Sequence, residues 1–136
     1  MSDASDADEI DAIREKKIEE LRSASSGADE PIHVHGQDEF QQVLADHSLV
    51  LVDFYADWCG PCQMIEPMVE QLAADTVATV AKVDVDENQP LAQQHGVRGI
   101  PALMIVKDGD VVEQLTGVQE ESKLRSLIER YAPDES

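Results

Sequence analysis

The sequence predicts an α/β fold in which helices cover both faces of one β-sheet. From residue 31 onward, strand and helix patterns alternate along the chain, which ends in two consecutive strands and a helix. The segment 49–56 (LVLVDFYA) is apolar apart from Asp53, as expected of a strand covered on both faces. With 136 residues and no internal repeat, the chain is long enough for one such domain and a tail.

The first elements of this domain are a short strand and an amphipathic helix. Residues 32–34 (IHV) are the strand candidate, and residues 36–47 (GQDEFQQVLADH) have helical spacing with Asp38 near the start. The apolar face of the helix consists of Phe40, Val43 and Leu44. The buried strand at residues 49–56 follows, and its one polar residue, Asp53, needs a separate explanation.

A longer helix and a second buried strand form the middle of the domain. Residues 63–75 place apolar side chains at helical spacing, and Pro67 inside this segment is expected to kink the helix. The predicted inward-facing residues are Met64, Ile65, Met68, Val69 and Leu72. Residues 76–86 (TVATVAKVDVD) are predicted to form the next buried strand.

The last third of the chain predicts a short helix, a hairpin and a closing helix. Residues 90–96 begin with Pro and end with Gly, which is typical of a short helix. Residues 102–117 read as two strands around KDGD, because Asp-Gly supplies the positive φ angles that tight hairpin turns need. The closing helix, residues 119–132, faces the core with Leu124, Leu127, Ile128 and Tyr131.

Residues 1–30 are predicted to form an acidic N-terminal extension that is partly helical or disordered, so the domain spans residues 31–136. Residues 8–22 have a loose apolar stripe, and residues 23–31 (SASSGADEP) read as a linker. A lone helix of about 15 residues is marginal in water, which favours a frayed tail over a partner-binding helix.

The chain is strongly acidic, with 29 acidic and 10 basic residues and a net charge of −19. This charge disfavours binding to nucleic acid, whose phosphates require basic residues. Such an acidic, lysine-poor composition resembles that of proteins from salt-loving organisms, the alternative being an ordinary acidic protein. No apolar run reaches the roughly 18 residues of a membrane span, and the N-terminus has no secretory pattern, so we expect a cytoplasmic protein.

The stretch DFYADWCGPCQMIEP, residues 53–67, contains the only cysteines of the chain, Cys59 and Cys62, and its only tryptophan, Trp58. The cysteine pair follows a buried strand and opens a helix. The unpaired N–H groups and positive dipole end of that helix stabilise a thiolate at Cys59. Gly60 permits a tight turn, and Pro61 suits the first helical turn because it has no N–H group.

Other uses of a close cysteine pair fit the sequence less well. A zinc site needs two further ligands, but the chain has no second cysteine pair, and its four histidines lack metal-ligand spacing. These histidines are His33, His35, His47 and His95. A structural disulfide would have little purpose in a reducing cytosol. The sequence therefore favours redox chemistry and predicts no metal.

Three segments resemble the thioredoxin family: VDFYADWCGPC its active-site signature, VAKVDVD its third strand and VRGIPAL its cis-proline loop. Tyr55 stands where many members carry a second tryptophan. The resemblance covers about residues 32–132, including the late KDGD hairpin. It implies a thioredoxin fold, a five-stranded mixed sheet flanked by four helices, and dithiol–disulfide exchange that needs no cofactor beyond the Cys59–Cys62 disulfide.

The resemblance assigns the chemistry to four residues. Cys59, which precedes the helix and is expected to be the more exposed cysteine, attacks a substrate disulfide, and Cys62 resolves the mixed disulfide. A carboxylate in a buried strand has a raised pKa, so Asp53 is predicted to exchange the Cys62 proton. The alternative for Asp53 is a purely structural pair with Lys82, which matches the lysine near the buried acid in the family.

A flat, weakly apolar docking surface is also implied by the resemblance. Its predicted members are Trp58, Gly60, Pro61, Ile100 and Gly117. The Ile100–Pro101 bond is expected to be cis, with the Ile100 backbone pairing with an extended substrate strand. Simple packing is an equally good explanation for Trp58, and a turn before the last helix is one for Gly117.

The predicted function is a monomeric cytosolic protein disulfide reductase, reduced in turn by a flavin- or ferredoxin-dependent thioredoxin reductase. One alternative is a redox-silent binding module in which the N-terminal helix docks to a partner. Another is an oxidant or isomerase with the same fold. The Gly-Pro pair between the cysteines resembles reductants, whereas oxidants and isomerases tend to carry His there.

Overall fold

The computed structural model describes residues 29–133. The predicted N-terminal helix at residues 8–22, and most of the predicted linker, lie outside the described residues. In the described part of the chain there are five strands and four helices. The strands are β1 (Ile32–His33), β2 (Leu49–Tyr55), β3 (Thr79–Asp84), β4 (Ala102–Lys107) and β5 (Asp110–Thr116). The helices are α1 (Gln37–Asp46), α2 (Gly60–Asp75), α3 (Gln89–Gln94) and α4 (Glu121–Tyr131).

The strands form one mixed sheet in the order β1-β3-β2-β4-β5. Strands β1, β3 and β2 are parallel to one another, whereas β4 is antiparallel to both β2 and β5. The expected five-stranded mixed sheet with four helices is therefore confirmed. Within residues 29–133, no helix is both long and apolar enough to cross a membrane.

The core has two layers because successive side chains of each central strand point to opposite faces of the sheet. On one face, Val50, Val52 and Phe54 of β2 pack with side chains of α1 and α3. On the other face, Leu49 and Leu51 pack with α2 and α4. Asp53 follows the second series, so the alternation places its carboxyl group on the α2 side of the sheet.

The predicted boundaries of β3 were wrong at both ends. The strand begins at Thr79 rather than at residue 76, because Thr76 ends α2. The Thr76 hydroxyl donates a 2.7 Å hydrogen bond to the Leu72 carbonyl and accepts one from the backbone N–H of Ala78. At the other end, Asp84 Oδ1 accepts a 2.8 Å hydrogen bond from the backbone N–H of Asp86, which closes a turn.

Helix α2 begins at Gly60, directly after Cys59, as expected of a cysteine pair that opens a helix, and it contains Pro67. Met64 was predicted to face the core, but 73% of its surface is exposed. The buried residues of α2 include Cys62, Ile65 and Val69. At about 100° per residue, Met64 lies well away from this stripe.

The KDGD segment forms the predicted hairpin turn between β4 and β5. Asp108 has φ 51° and Gly109 has φ 86°, so both central residues adopt the left-handed conformation. Such a turn matches the twist of the two strands that it joins. The hairpin supplies β4, which is the antiparallel neighbour of the central strand β2.

Candidate active site

The two cysteines lie where β2 passes into α2. Cys59 is the N-cap residue of α2, and its sulfur accepts a 3.1 Å hydrogen bond from the backbone N–H of Cys62. The Cys59 backbone N–H donates to the Ala56 carbonyl, which folds the connecting loop back on itself. Pro61 lies in the first turn, where a helix has no use for another N–H donor. A negatively charged sulfur at Cys59 is therefore stabilised by the helix end.

Cys59 and Cys62 form a disulfide, with their Cα atoms 5.3 Å apart. The expectation that Cys59 is the more exposed cysteine is wrong for this oxidised state, in which each residue is 4% exposed. Both cysteines pack in one small cluster with Ala56, and Ile100 covers it. What distinguishes the two cysteines is their position on the helix, since only Cys59 lies at the N-cap.

Asp53 is the buried acid of the site. Its residue surface is 1% exposed, and Oδ1 has no hydrogen-bond partner among the described residues. Burial raises the pKa of Asp53 to about 6, although the nearby Lys82 ammonium opposes this rise. A carboxyl group with such a pKa changes protonation state close to neutral pH, so it can both accept and donate a proton there.

Lys82 lies opposite Asp53 in the parallel register of β2 and β3. Its Nζ is 3.7 Å from Asp53 Oδ2, which is an ion pair without a short hydrogen bond. The close partner of Lys82 is Glu66, both of whose carboxylate oxygens accept hydrogen bonds from Nζ. Glu66 was not among the site residues predicted from the sequence. Its spacing from Cys62, four residues along the same helix, is the signal that would have found it.

Tyr55 completes the surroundings of Lys82. The ammonium lies 4.3 Å from the centre of the Tyr55 ring, within the range of a cation–π contact. Burial, reinforced by the carboxylates of Asp84 and Asp57, raises the pKa of Tyr55 to about 12. Tyr55 therefore stays neutral near pH 7, whereas Asp53 changes its protonation state close to that pH.

The loop that precedes β4 lies against the disulfide. The Ile100–Pro101 peptide bond is cis, as the resemblance implied, and Ile100 packs on the cysteine cluster. The Pro101 carbonyl accepts a 2.7 Å hydrogen bond from the backbone N–H of Gly117. Gly117 has φ 91°, a conformation that residues with a Cβ atom rarely adopt. The structure thus joins Gly117 to the Ile100–Pro101 turn, in which Ile100 packs on the cysteine cluster.

Trp58, the remaining predicted docking residue with a large side chain, is 70% exposed. Its indole N–H donates a 2.8 Å hydrogen bond to Oδ2 of Asp86, a residue that the sequence analysis did not identify. Simple packing does not account for a tryptophan exposed to this extent. Gly60 and Pro61 are also exposed, so three neighbours of the disulfide face solvent. An exposed indole with a fixed orientation offers a partner apolar contact.

No group of three or more His, Cys, Asp or Glu side chains in residues 29–133 has an arrangement that could hold a metal ion. Two of the four histidines have neighbours other than the cysteines. His47 Nδ1 lies 3.1 Å from the Thr79 hydroxyl, and the His95 ring packs on Phe40 and Phe54. The geometry of the described residues is that of a dithiol–disulfide centre with one buried acid.

A family model described as Thioredoxin matches residues 31–130. A thioredoxin of Chlamydia muridarum is 42% identical over 101 residues, covering 74% of this chain and 98% of the relative. A thioredoxin of Chlorobaculum thiosulfatiphilum is 44% identical over 92 residues, covering 66% of this chain and 85% of the relative.

Solved structures give the same result. A mutant thioredoxin from Halobacterium salinarum superposes with a TM-score of 0.76 and is 56% identical. The match covers 79% of this chain and 96% of that chain. A Plasmodium falciparum thioredoxin superposes with a TM-score of 0.68 at 37% identity, covering 74% of this chain and 99% of that chain.

Proposed function

The chain belongs to the thioredoxin family and is a dithiol–disulfide reductase. From this premise we propose which step of the reaction each site residue carries out. In the reduced protein, the Cys59 thiolate attacks one sulfur of a substrate disulfide. The Cys59–substrate bond forms while the substrate S–S bond breaks, and the other substrate sulfur leaves as a thiolate that takes up a proton. The position of Cys59 at the N-cap of α2 supports this role, because the Cys62 N–H already donates to its sulfur.

The second step returns the substrate to solution. Cys62 loses its proton and attacks the Cys59 sulfur, so the Cys59–Cys62 disulfide forms while the Cys59–substrate bond breaks, and the substrate sulfur leaves as a thiolate that takes up a proton. Two electrons pass from the dithiol to the substrate, and no cofactor is required. Attack by Cys59 rather than by Cys62 rests on the helix position, since the two residues are equally buried in the disulfide form.

Asp53 is the proposed acceptor of the Cys62 proton. Its carboxyl group lies on the α2 side of the sheet and is excluded from solvent. A pKa of about 6 makes it a stronger base at pH 7 than an ordinary aspartate, and its free Oδ1 leaves room for a hydrogen bond. Lys82 takes part by holding positive charge 3.7 Å from the carboxylate that is formed and neutralised in each cycle.

Substrates are proposed to dock on the face formed by Trp58, Gly60, Pro61, the Ile100–Pro101 turn and Gly117. An extended segment of the substrate pairs with the Ile100 backbone, in the manner of an added strand. The contact between Ile100 and the cysteine cluster supports this arrangement, because it sets a bound segment beside the Cys59 sulfur.

The reaction requires a partner that returns two electrons to the Cys59–Cys62 disulfide after each cycle. A flavin- or ferredoxin-dependent thioredoxin reductase is the proposed donor, and the cytoplasm, where thiols are kept reduced, is the proposed location. We expect the chain to act as a monomer. The net charge of −19 and the likeness to a Halobacterium thioredoxin support a protein adapted to high salt.

An insulin-precipitation assay with dithiothreitol as electron donor tests the function. We expect catalytic amounts of the protein to shorten the lag before the insulin B chain precipitates, and the Cys59→Ser variant to behave like dithiothreitol alone. Precipitation no faster with the wild-type protein than with dithiothreitol alone would contradict the reductase function and favour a redox-silent binding module.

A further inference from the structure

Glu66 belongs to the active site through its contact with Lys82. Lys82 is a buried ammonium, 4% exposed, and both oxygens of the Glu66 carboxylate bind it. The Glu66 side chain itself is 40% exposed, so water solvates its charge. The buried ammonium thus obtains a solvated counter-charge from α2, although Asp53 is its register partner on the neighbouring strand.

The positions of the three groups follow from the periodicities of their elements. Asp53 on β2 and Lys82 on β3 are paired in register, and both point to the α2 side of the sheet. Glu66 lies four residues after Cys62, hence one turn along the same face of α2. One helical face therefore presents the resolving cysteine at one turn and the lysine's counter-charge at the next.

The Lys82 ammonium is bound more closely by the Glu66 carboxylate than by the Asp53 carboxylate. Glu66 binds Nζ directly through both oxygens, whereas Asp53 Oδ2 lies 3.7 Å away and its Oδ1 has no partner in the described residues. An Asp53 bound directly by the ammonium would stay ionised and would be a weak base. An ammonium occupied by Glu66 leaves Asp53 with both of its protonation states accessible.

We propose that Glu66 is a positioning residue that holds the Lys82 ammonium away from Asp53 and so keeps the Asp53 carboxyl group available to exchange a proton with Cys62. This inference rests on the proposed role of Asp53. Among the described residues, the Glu66 side chain forms hydrogen bonds with Lys82 only, so it acts on Asp53 chiefly through Lys82. The negative charge of Glu66 acts in the same direction, because it raises the pKa of Asp53.

The surroundings of Asp53 leave few other groups to account for such an effect. Lys82 and Glu66 are the charged groups that alter its pKa, and α2 also carries the titratable sulfur of Cys62 in the reduced protein. Tyr55 on β2 lies beside Lys82 and stays neutral at physiological pH. On the other side, β4 pairs the apolar Leu103 with Asp53, and α4 contributes apolar side chains to this layer.

The test compares the full-length Glu66→Gln variant with the wild type and with Glu70→Gln. Glu70 lies one turn further along α2 and is exposed, and its side chain has no hydrogen bond or ion pair within the described residues, so its variant loses the same charge without touching Lys82. The first readout is the titration of the Asp53 carboxyl carbon in the reduced protein by NMR. We expect Glu66→Gln to lower the midpoint by about one pH unit, and Glu70→Gln to leave it in place.

The second readout is the single-turnover rate of disulfide reduction between pH 5 and pH 9. In Glu66→Gln, we expect the acidic limb to move to lower pH and the rate at pH 7 to fall about 3-fold, since a weaker base transfers the proton more slowly. In a Lys82→Met background, Glu66→Gln is expected to have a smaller effect on both readouts, because the route through Lys82 is absent and only the direct charge effect of Glu66 on Asp53 remains. Thermal unfolding checks that each variant is folded.

An unchanged Asp53 titration in Glu66→Gln would overturn the inference, as would an equal shift in Glu70→Gln, which would indicate a general charge effect. Failure of the underlying proton-transfer role looks different. In that case Asp53→Asn would keep the wild-type rate and pH profile, whatever Glu66→Gln does to the Asp53 titration. The NMR midpoint therefore tests Glu66, and the Asp53→Asn profile tests the proposed function.

Discussion

The indole N–H of Trp58 is hydrogen-bonded to the Asp86 carboxylate at 2.8 Å, although 70% of the tryptophan surface faces solvent. Asp86 follows β3, and Trp58 follows β2, so the bond joins the loops at the same end of two parallel strands. This hydrogen bond fixes the orientation of a large apolar side chain that would otherwise move freely beside the disulfide.

Replacing Asp86 with Ala is therefore expected to weaken docking without altering the chemistry. Loss of one exposed hydrogen bond, worth about 1 kcal/mol, predicts an increase in KM for protein disulfides of about 3- to 10-fold, with kcat nearly unchanged. Steady-state reductase assays measure both constants, and the fluorescence anisotropy of Trp58, the only tryptophan, reports its mobility. Asp86→Asn keeps an acceptor oxygen and serves as the control. A kcat loss in Asp86→Ala at constant KM would contradict this view of Trp58.

The two cysteines are expected to give different products when each is replaced by serine. Cys59→Ser removes the attacking sulfur and should abolish reduction, whereas Cys62→Ser should accumulate mixed disulfides because attack survives and resolution does not. Non-reducing electrophoresis of each variant after incubation with a protein disulfide makes the comparison. Equal trapping by both variants would show that attacker and resolver have been assigned wrongly.

Asp53 is expected to reduce stability at neutral pH while serving the reaction. Its pKa is about 6 in the folded protein and 3.8 in an unfolded chain, so the folded state binds more protons between these values. The free energy of unfolding therefore falls as pH rises from about 4 to about 6, by up to about 3 kcal/mol. Above pH 6 the full penalty is present.

Asp53→Asn should remove this penalty and slow exchange at the same time. We expect the variant to be more stable than the wild type at pH 8 and to lose that advantage as pH falls towards 4. Urea unfolding at several pH values measures the difference in free energy. A stability difference that does not depend on pH would contradict the raised pKa, and equal exchange rates across neutral pH would contradict the proton-transfer role.

Salt is expected to stabilise this protein. At a net charge of −19, repulsion between like charges is long-ranged in dilute buffer, and the Debye length falls from about 10 Å at 0.1 M to about 3 Å at 1 M salt. We expect the Tm to rise by several degrees between dilute buffer and molar KCl, with activity retained. Because the proposed docking face is weakly apolar, substrate affinity should change little.

Thermal unfolding and reductase kinetics across a KCl series test this expectation, and a NaCl series shows whether the identity of the cation matters. A Tm that stays flat or falls as KCl rises would rule out adaptation to high salt. The assignment of the dithiol chemistry would be unaffected by that result, since it rests on the cysteine pair and the buried Asp53 rather than on adaptation to salt.

The hairpin turn offers a stability test away from the site. Gly109 has φ 86°, and a Cβ atom added there would meet no atom within 4 Å, so Gly109→Ala should cost only the strain of a left-handed alanine, about 1 kcal/mol. Gly60→Ala is the control, because Gly60 is equally open but lies outside the left-handed region. Chemical denaturation of both variants checks the prediction, and equal losses would contradict it.

The sequence was sufficient for the order of elements and for the position of the dithiol. Both are local properties: apolar periodicity defines helices and strands, and the spacing of Cys59 and Cys62 next to a buried strand requires no knowledge of distant residues. Asp53 could also be found in this way, because a carboxylate in an apolar run is conspicuous. The boundaries of β3 were less predictable, because they depend on side-chain hydrogen bonds. Thr76 ends the preceding helix through its bond to Leu72, and Asp84 closes a turn at the end of the strand by accepting from Asp86.

Only the tertiary structure decided which groups meet across elements. Glu66 pairs with Lys82 because α2 packs on β3. Asp86 pairs with Trp58 because two loops lie at the same end of the sheet. Neither contact follows from the spacing of residues along the sequence. The equal burial of the cysteines likewise depends on other elements, because Tyr55, Val85 and Ile100 pack against the cluster that the cysteines form with Ala56. Sequence patterns describe which face of an element is apolar, whereas solvent exposure and ion pairing depend on what lies against that face.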